Sequence, residues 1–395
     1  MIQKLKVLKG REKSLKLRHL WVFSGSLDMK NAVTSAWTEL VDSDGNFLAY
    51  ASVNPLSKIA ARVWSFDADD APDKEFFRKK IMSALNFRKT CGFEFDNIHG
   101  VRLINSEGDG LPGIIADDYA GVIVVQFLTS GAAAYREIIS EILFENVPGA
   151  VAVYEKSDSA ILEKEHLPCC DGLLSGKLPD QCIIEENGAK FEIDFVNGHK
   201  SGFYLDQRRN RDILSRYAAG KTVLNCFSYT GGFGVKAALA GAKFVTNIDS
   251  SAPALERSAE NMALNGIAEN CYEDIVGDVF SMLRKFRAEK RKFDFIILDP
   301  PKLVQGRGDL NRAAKAYKDM ALVALHILNP GGILANFSCS GLMPKELFQK
   351  ITFDAALDAG RNLRMIEFLE QDIDHAWNLN VPEGFYLKGH LLMAD

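Results

Sequence analysis

A chain of 395 residues with 47% hydrophobic and 25% charged side chains has the composition of a globular protein and the length for about two or three domains. No apolar run approaches the roughly 20 residues of a membrane span, and the start, MIQKLKVLKGREK, lacks the apolar core of a signal peptide, so a cytoplasmic protein is the default expectation. The 7 cysteines include no CxxC pair, which argues against a disulfide framework and against a zinc site. Net charge is only −5, yet Lys4, Lys6, Lys9, Arg11, Lys13, Lys16 and Arg18 crowd the first stretch against Glu12 alone. Such a patch fits a polyanion partner or a solvated face.

Residues 1–70 carry short apolar segments (21–23, 39–41, 47–49, 59–64) broken by Gly25, Asp44-Gly45 and Asn54-Pro55, the spacing of a small β-barrel or sandwich. His19 and Trp21 could stack on a base, although a tryptophan in so small a module is more often core. DADDAP at 67–72 reads as a linker. A helix is expected over 73–90, with Phe76, Phe77, Ile81, Met82 and Leu85 on one stripe. Hairpins follow over 101–131, then a helix over 132–144 and a strand at 151–154. Glu186-Asn187-Gly188 between Ile183-Ile184 and residues 191–195 is a strong hairpin signal and completes an α+β middle block over 71–190.

Beyond residue 190, apolar strands alternate with amphipathic helices. Strands are expected at 222–227, 244–248, 271–276, 293–298 and 332–337, which predicts a doubly wound parallel α/β sheet over 191–395. The order in such a sheet reverses beside its first strand, setting the carboxyl ends of strands one and four side by side. Strand one runs into Thr230-Gly231-Gly232-Phe233-Gly234, and strand two ends in Asp249. That pairing fits an adenosine site. Gly232 to Ala237 matches the dinucleotide pattern GxGxxA, whereas S-adenosylmethionine fits a looser loop with acids ending strands two and three, and Asp278 supplies the second acid unless it only caps a helix.

Strand four ends in Asp299-Pro300-Pro301-Lys302, a rigid exit that places a carboxylate beside strand one, suited to gripping a planar nitrogen base. Strand five ends in Ser338-Cys339-Ser340-Gly341. Cys339 alone among the cysteines is set among polar residues at that edge, where surrounding dipoles and Lys302 could favour a thiolate. A thiolate adding to carbon 6 of cytosine or uracil makes carbon 5 enamine-like, able to take a methyl from a sulfonium, with Asp299 steadying the ring. Upstream, HKSGFYLDQRRNR and Arg216 concentrate charge for the cofactor's methionine end or an RNA backbone, and a solvated helix start is the plain alternative.

NCFSYTGGFGVKAA, NIDSS, DPPK and FSCSG in this order, with HKSGFYLDQRRNR ahead of them, resemble the bacterial 23S ribosomal RNA cytosine-5 methyltransferases of the large-subunit methyltransferase I type. The resemblance runs the whole chain: LKGREKSLKLRHLWVFSGSL looks like the start of the family's PUA RNA-binding domain and EGDGLPGIIADDYAG like a signature of its middle domain. It implies a PUA domain over 1–70, a central α+β domain, and a Rossmann-like class I methyltransferase domain using S-adenosylmethionine, with RNA as partner and no membrane. By position it makes Cys339 the nucleophile and Asp299 the acid that holds the base and borders the cofactor. Asn225, Phe227, Ser228, Tyr229, Thr230, Gly231 and Gly232 become the cofactor loop, Asp249, Ser250 and Asp278 the adenosine contacts, and Asp206 with Gln207 neighbours of the methionine end. Many cytosine-5 RNA methyltransferases carry a second cysteine in the strand-four motif, where this chain has Pro300-Pro301-Lys302. Other readings are methylation of uracil carbon 5 or an exocyclic nitrogen, an RNA-binding assembly factor with a relic site, and a dinucleotide enzyme, which lacks hydride-transfer residues here. The oligomeric state is left open, a homodimer included.

Overall fold

The computed structural model describes every residue except Met1, Ile2, Asn97 and Gln305. It divides into two compact units, one holding the chain up to Ile184 with Ile193–Leu205 and Ile373–Gly384, the other Glu185–Glu192, Asp206–Asp372 and Phe385–Asp395.

In the first unit a five-stranded sheet orders Lys4–Lys6, Ser35–Val41, Phe47–Val53, Ala61–Ser65 and Trp21–Val22 around a core that includes Leu5, Leu40, Ala51 and Val63. The basic residues Lys6, Lys9, Arg11, Lys13 and Lys16 are exposed on it, whereas Lys4 pairs with Glu39 at 2.8 Å. Trp21 is half-buried and anchored by its edge. Its Nε1 donates to Glu107 at 2.8 Å, and His19 lies 3.2 Å from the Glu383 carboxylate.

A separate apolar cluster forms where the helix Lys74–Thr90, capped by the Asp73 carboxylate accepting from Phe76 N at 2.8 Å, lays Phe76, Phe77, Ile81 and Leu85 on a second five-stranded sheet. That sheet contains the hairpin Ile114–Tyr119 and Val122–Phe127, turned at Ala120 and Gly121 with φ of 52° and 92°. Asp118 Oδ1 accepts from Gly121 N at 2.8 Å inside this turn, and burial pushes its carboxyl up to about 7, an effect Asp96 and Asp117 add to and the Gly121 bond opposes. A raised carboxyl penalises the fold as pH climbs, because the unfolded chain ionises near 4 while the folded one resists until about 7. Asp118→Asn keeps the acceptor and removes that charge. Denaturant midpoints should therefore show the variant gaining about 2 kcal/mol relative to the parent between pH 5 and pH 8. An equal difference at both pH values would refute the assignment.

The second unit is built on strands β1 (Thr222–Cys226), β2 (Phe244–Asp249), β3 (Tyr272–Val276), β4 (Phe293–Leu298), β5 (Leu328–Ser338), β6 (Leu363–Glu370) and β7 (Lys388–Ala394). Their order is 3-2-1-4-5-7-6, with β1 to β5 parallel and β7 antiparallel to both β5 and β6. Helices α1 (Gly232–Leu239), α2 (Ala252–Leu264), α3 (Val279–Ala288), α4 (Leu310–Ile327) and α5 (Lys345–Asp358) connect them. Cys226 and Asn336 both pair with Leu298, so the carboxyl ends of β1, β4 and β5 lie adjacent, as the crossover rule requires.

From sequence the Asn187-Gly188 hairpin is expected to complete the middle block. Asn187 and Gly188 do take φ of 47° and 79°, the left-handed pair of a type I′ turn. Residues 185–192 nevertheless cluster with the second unit. Asn265 Oδ1 accepts from Lys190 N at 2.8 Å, Asn261 Oδ1 from Glu192 N at 2.9 Å, and Arg211 Nε donates to the buried Glu186 carboxylate at 2.7 Å.

Candidate active site

Beneath the loop after β1 lies a row of polar side chains inside the sheet. Asn225 Nδ2 donates to Asn247 Oδ1 at 2.9 Å, and Asn247 Nδ2 donates to Asp274 Oδ1 at 2.8 Å, three residues in register on β1, β2 and β3. Asn225 is fully buried, and its Oδ1 has no hydrogen-bond partner among the described residues. The glycines fit the same row: a Cβ on Gly234 would come 2.4 Å from Asn247 Oδ1, and one on Gly231, whose φ is +81°, 2.4 Å from Ser258 Oγ. At these two positions close packing of the protein against itself requires glycine.

Above the row, Phe227 and Tyr229 hold φ of 59° and 48°, a conformation that costs on the order of 1–3 kcal/mol and persists where the surroundings impose it. Tyr229 N and Ser251 N donate to the two oxygens of Asp249, each at 2.9 Å, which fixes the carboxylate at the end of β2. Ser250 is exposed beside it. Ser228 Oγ and Thr230 Oγ1 are buried without a hydrogen-bond partner among the described residues. Orphaned hydroxyls on a strained loop, with a fixed acid at the next strand, fit the polar edge of an adenosyl cofactor. Asp278 is exposed at the start of α3 and caps it, Oδ1 accepting from Ser281 N at 2.9 Å and Ser281 Oγ at 2.7 Å.

The exits of β4 and β5 are joined. Cys339 Sγ donates toward Pro300 O at 3.6 Å, and Val304 N donates to Ser340 Oγ at 3.2 Å. Ser338 and Ser340 on either side of Cys339 are fully buried while Cys339 is half-buried, and Ser338 Oγ donates to the Tyr317 hydroxyl at 2.9 Å. Cys226, at the end of β1, is the contrast: it is sealed in the apolar core, and burial pushes its thiol far up. One cysteine at this edge is thus partly accessible among polar groups and the other is closed off in the apolar core.

Asp299 accepts from Gln207 Nε2 at 3.0 Å, and Gln207 Oε1 accepts from Asn210 Nδ2 at 2.6 Å. Asp206 next door accepts from the Tyr386 hydroxyl at 2.7 Å. Asp206, Gln207 and Asp299 are thus gathered in the second unit, with Asn210 and Tyr386 as partners the sequence reading missed. The arginines it had offered to a ligand are mostly engaged elsewhere, Arg208 with Asp372 at 2.7 Å, Arg216 with Asp212 at 2.9 Å and Arg211 with Glu186. Lys302 is exposed and makes no ion pair among the described residues. The buried amine at this edge belongs instead to Lys388 on β7, whose Nζ donates to Ser340 O and Tyr386 O, each at 2.9 Å, and which burial pushes down to about 8.

Comparisons with known proteins agree with this arrangement. Residues 108–377 match the family model described as S-adenosylmethionine-dependent methyltransferase, and residues 5–66 match a PUA-like domain. The ribosomal RNA large subunit methyltransferase I of Shewanella amazonensis is 47% identical over 98% of both chains, and that of Aeromonas salmonicida is 44% identical over the same share. A protein assigned as a methyltransferase and solved with SAH bound superposes with a TM-score of 0.85 at 25% identity, both chains fully covered. A match of this extent, over a sheet ordered 3-2-1-4-5-7-6 whose first loop suits S-adenosylmethionine, shows that the chain belongs to the ribosomal RNA large subunit methyltransferase I family of S-adenosylmethionine-dependent methyltransferases.

Proposed function

We propose that this protein methylates carbon 5 of a cytosine in the RNA of the large ribosomal subunit, in the cytoplasm, through a covalent adduct on Cys339. The observation that carries this reading is the juncture of β4 and β5, where the Cys339 thiol and the Asp299 exit share the Pro300 carbonyl beside the cofactor loop.

In this reading Cys339 and Asp299, which follow adjacent strands, act as nucleophile and base-holding acid. Cys339, once deprotonated, adds through sulfur to carbon 6, and the electron pair displaced from the 5,6 double bond enriches carbon 5. Asp299, oriented by Gln207, accepts from the cytosine amino group and keeps the ring in place during the addition. When bound, S-adenosylmethionine supplies an electrophilic methyl on a sulfonium, which carbon 5 accepts. Loss of the carbon 5 proton then returns the electron pair that expels the Cys339 thiolate and restores the ring. The buried hydroxyls of Ser228 and Thr230 and the fixed carboxylate of Asp249 would hold the cofactor. The PUA-like module, with its exposed lysines, supplies the phosphate contacts, and binding that depends on them weakens steeply with salt.

The test is a large-subunit RNA transcript made with 5-fluorocytidine. Fluorine at carbon 5 cannot leave as a proton does, so the adduct should accumulate as a denaturant-resistant protein–RNA conjugate mapping to the Cys339 peptide. A methylated product with the methyl on an exocyclic nitrogen, or turnover with no conjugate, would overturn the reading. Absence of any methylation or S-adenosylmethionine binding would favour a non-catalytic RNA-binding factor.

A further inference from the structure

A lysine ammonium buried without a carboxylate is costly, and one stands next to the proposed nucleophile. Lys388 is 4% exposed and makes no ion pair among the described residues. Its backbone pairs with Ser338 across β5 and β7, and its Nζ bonds the Ser340 carbonyl, so Lys388 is anchored to the residues on both sides of Cys339. Glu370, which pairs with it across β6, turns its own carboxylate to Lys345 at 2.9 Å. Among the described residues its Nζ also bonds the Tyr386 carbonyl and lies 5.7 Å from the centroid of the Phe385 ring. From α4 the Tyr317 hydroxyl reaches Ser338, with Cys339 and Asp299 close enough for their charges to act on it.

Two carbonyls account for two of the amine's hydrogens. In the neutral form the remaining position is a lone pair, and in the charged form it is a third N–H. We propose that Lys388 is a positioning residue that sets the charge of the nucleophile: its amine takes the proton of the Cys339 thiol, and the resulting ammonium holds the thiolate until the base is bound. The step is a proton transfer, in which the S–H bond breaks, an N–H bond forms and nothing is oxidised or reduced. It is reversed when the product leaves. Burial favours the neutral amine before the transfer, and the negative charge of Cys339 favours the ammonium after it, so the two groups charge together. The inference rests on the covalent reading of Cys339, and it puts Lys388 where Lys302 is expected to act from sequence alone.

The labelling step needs neither RNA nor cofactor. Iodoacetamide labelling of the Cys339 peptide in the full chain, followed by mass spectrometry from pH 5 to 10, reports the thiolate directly. The parent should label with a midpoint at least about one unit below the usual 8.5 of a free cysteine. Lys388→Gln should move the midpoint up by at least one unit and slow labelling at pH 7 by about tenfold, with S-adenosylmethionine binding and melting temperature as controls for folding. Lys388→Arg, which keeps a permanent charge beside the thiol, should keep a low labelling midpoint. Superimposable labelling profiles for parent and Lys388→Gln, or an ordinary thiol midpoint in the parent should the variant not fold, would reduce Lys388 to a staple between loops. Failure of the covalent reading looks different: Cys339→Ala would then still methylate, whatever the labelling profile.

Discussion

Replacement of Cys339 by alanine is expected to lower methyl transfer by about 10⁵-fold or more while S-adenosylmethionine still binds. The magnitude follows from what the thiolate does. Carbon 5 of a cytosine is a poor nucleophile, and among the described residues Cys339 is the one thiol at the exits of β4 and β5 that could enrich it by bonding to carbon 6. Cofactor binding should persist, because Ser228, Thr230 and Asp249 belong to the loops after β1 and β2, and their anchors, Tyr229 N and Ser251 N, do not involve Cys339. Cys226→Ala supplies the control, since that thiol is sealed in the core and its loss should cost a modest amount of stability with turnover retained. Single-turnover methylation and cofactor titration check both variants. If Cys339→Ala retained more than a tenth of the activity, the adduct would have to be abandoned.

How much of this was legible beforehand follows the physics of each segment. Strands β1, β4 and β5 read clearly because a parallel strand buried on both faces is a continuous apolar run, and Phe293–Leu298 is one. The exits were legible too, since Asp-Pro-Pro and Ser-Cys-Ser break such runs abruptly. Strand β6 was not read: Leu363–Glu370 is an edge strand, largely exposed, and its charges dilute the alternation. Missing β6 and β7 meant missing Lys388, a lysine whose burial depends on pairing between segments 50 residues apart in sequence, Ser338 and Lys388. The arginines after Gln207 failed for the converse reason. Charge density in sequence says nothing of where the partners are, and Glu186 and Asp372 come from distant parts of the chain. The polar row Asn225, Asn247, Asp274 was equally hidden, because only strand register brings one residue from each strand into line.

That register also gives Asp299 a defined orientation, from which a change of base preference follows. The Glu370 carbonyl can only accept, so it fixes the amide of Asn210 with Nδ2 toward it at 3.0 Å; the same Nδ2 donates to Gln207 Oε1, which leaves Gln207 Nε2 to donate to Asp299 Oδ2. The relay demands an acceptor at that oxygen. In Asp299→Asn the carboxamide oxygen meets the demand, and its NH₂ takes the place of the second carboxylate oxygen. Toward the base an acceptor has become a donor. Cytosine offers a donor at its amino group and would be left facing another donor, whereas uracil offers the carbonyl at carbon 4. A site built for one hydrogen-bonding pattern rejects the other by leaving buried polar groups unpaired. Cytosine methylation should therefore fall by about 10³-fold, and the ratio of kcat/KM for cytosine over uracil at the target position should fall by at least about 10². Gln207→Leu, which removes the Nε2 donor to Asp299, should lower kcat by about tenfold and leave that ratio nearly unchanged. A ratio unaltered in Asp299→Asn would mean that Asp299 does not touch the base edge, and the choice of base would then have to lie in another residue of the β4–β5 juncture.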